Sequence, residues 1–89
     1  MSNRKNLKSA INNVCEALFA ECVAANIYGN LNDEDTQTLL SSIVAINNEY
    51  IRRISHVQPG MKAKDYFRDV TEHFDKQVGE IIDQIANQG

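Results

Sequence analysis

Two cysteines, two histidines and a short acidic run are the residues of this chain best suited to chemistry. A cysteine beside a histidine would make a nucleophile with its base. Both cysteines with both histidines would make a zinc site. The spacing supports neither. Cys15 and Cys22 are seven residues apart on one predicted helix, so their Cα atoms are ~10.5 Å apart. A disulfide needs less than about 7 Å, so they cannot bridge each other and read as small buried hydrophobes. His56 falls near a predicted turn and His73 on the flank of another helix. The paired short Cys/His spacings of zinc modules are missing. So is the Glu-x-x-His unit of di-iron bundles, because Arg53 stands three residues before His56 and Val70 three before His73.

The acidic run Asp33, Glu34 and Asp35 lacks the alternating ligands, central Gly and terminal Glu of a calcium loop. It reads instead as the start of a helix, where negative charge suits the dipole. The glycines stand at 29, 60, 79 and 89 and never cluster into a phosphate loop. Asp69 and His73, four apart, read as a surface ion pair. The expectation is therefore no enzyme, no catalytic residue, no cofactor, no metal and no small-molecule substrate.

The elements that carry these residues follow from length and periodicity. Eighty-nine residues make one domain, 1–89, able to bury one small core. Apolar residues recur at Leu7, Ile11, Val14, Leu18, Cys22 and Ala25, with Cys15 and Phe19 widening that face. Steps of three and four place them on one side of a helix over about 4–28. Gly29 is read as its C′ residue in the left-handed conformation. Asn32 or Asp33 caps a second helix over about 33–57. Its seam is Leu40, Ile43, Asn47, Tyr50, Ile54 and Val57, flanked by Leu39, Val44, Ile46 and Ile51. Asn47 is the polar member, and such a residue in a helical interface can fix register or partner number. Gln58-Pro59-Gly60 makes the second turn.

A third helix over about 62–87 carries the stripe Ala63, Phe67, Val70, Phe74, Val78, Ile81 and Ile85, with Ile82 beside it. Glu72 and Lys76 are placed for an i,i+4 ion pair. The tail 87–89 is expected to fray. No stretch alternates as a strand would. The predicted fold is all-α, an antiparallel up-down-up three-helix bundle.

Surface character gives the functional expectation. The net charge of −3 argues against non-specific binding to nucleic acid or an anionic membrane. The longest apolar region, 14–28, carries Glu16 and Glu21 and falls short of the ~20 residues of a span. No signal-peptide pattern opens the chain, so a cytoplasmic protein is expected. Two surfaces stand out. The back of the first helix carries Ala17, Ala20, Val23, Ala24 and Ile27, where a surface helix would be polar. The bundle topology also gathers Arg4, Lys5, Lys8, Arg52, Arg53, Lys62, Lys64 and Arg68 at one pole. The first surface predicts a non-enzymatic interaction module, self-associating as a homodimer or binding another protein. The second offers the alternative of an acidic partner or nucleic acid meeting Arg52, Arg53, Lys62, Lys64 and Arg68.

Overall fold

The computed structural model describes residues 4–57 and 59–86. Gln58 and the tail 87–89, read above as turn and frayed end, lie outside them. Three helices account for nearly all of the described chain: α1 (Arg4–Tyr28), α2 (Asp33–Ser55) and α3 (Ala63–Ala86). The second ends slightly earlier than periodicity suggests, and the third begins one residue later.

Local chemistry explains the ends. Asn32 is extended at φ −76° and ψ 168°, and its side-chain oxygen accepts the Asp35 N–H at 2.7 Å. That N-cap bond satisfies an otherwise orphaned helix donor. Asn26 holds the same turn from the other side. Its Nδ2 donates to the Leu31 carbonyl at 3.0 Å and to Asp33 Oδ1 at 2.8 Å. Between them Leu31 drops into the core at 3 % exposure. Gly29 differs from expectation: among the described residues only Gly60 has a positive φ, +88°. Glycine is needed at 29 for another reason. A Cβ there would stand 2.9 Å from the Ala25 carbonyl oxygen, closer than side chains tolerate.

Cross-helix contacts set the directions. Cys22 Sγ lies 3.9 Å from the Thr36 carbonyl and Asn26 reaches Asp33, while Cys15 shares a groove with Ile43 and Asn47. So α2 runs back along α1. Tyr50 meets Phe74, and the Tyr66 hydroxyl donates to the carbonyls of Arg53 at 3.0 Å and His56 at 3.2 Å. So α3 returns along α2. Those two carbonyls belong to the last turn of α2 and the residue after it, where carbonyls lack helical partners. Tyr66 thus pins the start of α3 to the end of α2. The bundle measures 46 × 19 × 18 Å.

The core is a single column. Ile11, Cys15, Leu18 and Cys22 of α1 meet Leu39, Ile43, Tyr50 and Ile54 of α2 and Val70, Phe74 and Ile81 of α3, with Leu31 at one end. The seam of α2 is rotated from the expected one. Leu39 and Thr36 are buried, while Leu40, Asn47 and Val57 are half-buried. Val14 and Phe19, expected in the core, are exposed at 37 % and 41 %, and Val44 and Ile82 are exposed at 49 % and 50 %. The reason is geometric. A broad apolar arc needs neighbours on both flanks, and α3 covers only one flank of the α1–α2 pair, which leaves Phe19 and Val44 open on the other. The Glu72–Lys76 pair does not form. The bridges on α3 are Arg68–Asp65 and His73–Asp69.

Candidate functional site

The residues suited to chemistry stay apart. Cys15 and Cys22 are free and buried. His56 and His73 are exposed. His56 serves as the C-cap of α2, its N–H reaching the Arg53 carbonyl at 3.3 Å. His73 Nδ1 lies 2.8 Å from the Asp69 carbonyl and 3.6 Å from Asp69 Oδ1, a local contact on a wet helix face. Among the described residues no three His, Cys, Asp or Glu gather as a metal site would need.

Burial pushes both thiols and the Tyr50 phenol above their ordinary pKa values. Near Tyr50 the Arg53 charge opposes that shift and Glu49 adds to it. Thiols held protonated in an apolar column are poor nucleophiles. The pH consequence has a definite sign. A group whose folded pKa is raised contributes its stability fully below its unfolded pKa and loses it as pH rises through the folded value. Unfolded thiols and phenols titrate near ~8.5 and ~10. The urea midpoint should therefore hold from pH 7 to 8 and fall by pH 10.5. A midpoint unchanged at pH 10.5 would contradict this burial.

The basic pole is assembled as the topology requires. Arg52, Arg53, Lys62, Lys64 and Arg68 are all exposed, and Tyr66 holds their two helices together. Local acids neutralise much of it. Glu49 pairs with Arg53 at 2.7 Å and also with Arg52, and Asp65 pairs with Arg68 at 3.4 Å. The two arginines hold the Glu49 carboxyl below its usual range by hydrogen bonding, Arg53 first. Beside this pole, α1 and α3 leave a cleft of about 750 Å³. Leu7, Ala63, Phe67 and Thr71 line it, together with Lys64, Arg68 and the carboxylate of Glu72. Phe67, assigned to the core stripe from sequence, is half-buried and forms part of this wall.

The apolar surface is larger than the back of α1 alone. Ala17, Ala20 and Ile27 are exposed, Ile27 at 62 %, and Val23 and Ala24 are half-buried. Beside them runs a groove lined by α1 and α2 only, away from α3. Its lower part, about 160 Å³, is walled by Asn12, Glu16 and Phe19 of α1 and by Val44 and Asn47 of α2. It continues past Phe19 along Leu40, Val44 and Ala45. Asn47 Oδ1 is buried beneath it without a hydrogen-bond partner among the described residues.

Comparison with known protein families, curated proteins and solved structures finds no match. The surfaces themselves are what a functional reading must rest on. Sequence inspection singled out the α1 residues but missed the α2 wall. A signal for it exists: residues 36–48 contain no charged side chain, although half of that helix faces outward.

Proposed function

We propose that the chain is a small non-enzymatic helical interaction module that self-associates through the apolar surface α1 leaves uncovered. The observation that carries this reading is the exposure of large apolar residues along one side of the bundle. Phe19 and Val44 line one groove, and Val23 and Ile27 continue from Phe19 in i,i+4 steps along α1. Soluble monomers rarely leave such residues contiguous, and a patch of this kind commonly marks a contact with another protein. No described helix is long and apolar enough to cross a membrane. That, with two unpaired thiols, fits a protein working in the cytoplasm.

A second reading draws on the cleft between α1 and α3. Its apolar floor and the Lys64 and Arg68 edge suit an acidic amphipathic segment of another protein better than a nucleic acid, since the chain as a whole is acidic.

Light scattering at low and high salt separates the two. Self-association through an apolar surface predicts twice the chain mass of 10.0 kDa at both ionic strengths. A monomer at both would overturn it and leave the cleft reading.

A further inference from the structure

Several features compete for a role. Cys22 Sγ reaches only the Thr36 carbonyl and neither thiol gathers with ligating groups among the described residues, while Arg52, Arg53 and Arg68 of the basic pole are paired with their own acids. The α1–α3 cleft is coherent but nothing in its lining singles out one occupant. The α1–α2 groove goes further, because the rest of the molecule indicates what covers it.

We infer that a second copy of this chain docks across the α1–α2 groove, antiparallel, about a two-fold axis near Val44 and Phe19. This rests on the self-association reading and narrows it to one flank of α1 and the outer face of α2.

The placement of the patch is the first argument. Val44 is the midpoint of α2, and Phe19 is slightly above the midpoint of α1. At 1.5 Å per residue the two lie within a few ångströms of the same height. A two-fold axis crossing the helices there lays each helix pair over the full length of its mate. Each copy then offers the same patch, as an isologous contact requires.

Charge is the second. Lys5 and Lys8 stand at one end of the α1–α2 pair, where Arg52 and Arg53 share the single carboxylate of Glu49, and Asp33, Glu34 and Asp35 stand at the other. Reversing one copy sets basic end on acidic end at both ends at once. A parallel arrangement would set like on like. Between the ends the surface is nearly uncharged: residues 36–48 carry no charge, and 17–28 carry only Glu21. Interface centres are depleted of charge in just this way, with charged groups kept at the rim. Of the groove's own lining, Glu16 alone is charged.

Area is the third. A face on a body 46 Å long and 19 Å wide can bury at most on the order of 800 Å² per copy, which reaches the share each partner buries in a standard stable interface.

The test uses the full chain and two variants, followed by analytical ultracentrifugation and circular dichroism. Val44→Glu puts a charge near the axis at a position already half open to water, so the helices should persist. It should weaken dimerisation at least about 30-fold, the effect of losing a central anchor. Lys76→Glu, on the exposed face of α3 and away from the groove, should leave the dimer intact. Zero-length coupling of amines to carboxylates then reads the orientation. Lys5 or Lys8 should join Asp33, Glu34 or Asp35 of the partner. Within one chain these groups sit at opposite ends of helices ~35 Å long, beyond any such bond. A monomeric wild-type chain would defeat the self-association reading and this inference together. A dimer left intact by Val44→Glu would leave self-association standing and overturn the groove. Loss of the dimer in Val44→Glu with coupling confined to residues of like poles would overturn the antiparallel arrangement.

Discussion

Tyr50→Ala should destabilise the chain by about 3–5 kcal/mol, the usual cost of removing a large aromatic side chain from a core. For 89 residues the whole stability is on the order of 4–13 kcal/mol, so much of the population would unfold. Tyr50 is 1 % exposed, and its ring joins the two halves of the bundle. It meets Phe74 edge-to-face with centroids 5.4 Å apart and planes at 65°. Such a pair contributes ~0.5–1.5 kcal/mol beyond the area it buries. The Arg53 guanidinium lies 5.1 Å from the same ring and adds a cation–π attraction. Arg53 is in turn tied to Glu49, and its carbonyl accepts the Tyr66 hydroxyl. Losing the ring therefore loosens α3 from α2 as well as opening a cavity. Tyr50→Phe keeps the ring and should cost less than about 1.5 kcal/mol. Urea unfolding followed at 222 nm measures both. A Tyr50→Ala chain within about 1 kcal/mol of the wild type would show that the column does not depend on this ring.

The elements legible in the sequence were those whose signals are local. Asn32 before an acidic run, and Pro59-Gly60 after Ile54, announce helix ends through chemistry that needs no tertiary context. The end of α1, the bounds of α2 and the start of α3 accordingly came within two residues. The general side each helix buries was legible too, because Ile11, Ile43 and Phe74 lie at the centre of their stripes. What periodicity could not decide is which flank a third helix covers. Phe19 and Val44 have the side chains of core residues and stand beside core positions, yet α3 lies on the other flank. Choosing between Leu39 and Leu40 needed the same knowledge. Leu31 was missed for a different reason. It sits in a polar turn, and its signal was positional: an apolar residue just before an N-cap commonly packs back onto the helix it introduces. The α1 half of the candidate surface was visible as Ala17, Ala20, Val23, Ala24 and Ile27. The α2 half was not, because a helix of Ser, Thr, Gln and Ala looks merely polar until its lack of charge is set beside an exposed Val44.

Asn47→Leu should stabilise the folded chain by about 1–3 kcal/mol, the penalty recovered when a buried polar atom without a partner is removed. The site favours the exchange. Asn47 is half-buried beside Ile43 and Cys15, its Oδ1 has no hydrogen-bond partner among the described residues, leucine has the same branched shape, and the open groove above leaves room for its larger methyls. The position also lies one turn from Val44, beneath the proposed dimer axis. A polar residue at such a seam lowers stability while restricting how helices pair. The two roles separate experimentally. Urea unfolding at one protein concentration should show the gain, while sedimentation should show whether the leucine variant still forms one species. A gain accompanied by larger or mixed assemblies means Asn47 restricts pairing at the expense of stability. A gain with one unchanged species means its amide is a local cost alone. A loss of stability would mean that the Asn47 carbonyl is satisfied in solution, and that the groove above it admits the water or partner donor that satisfies it.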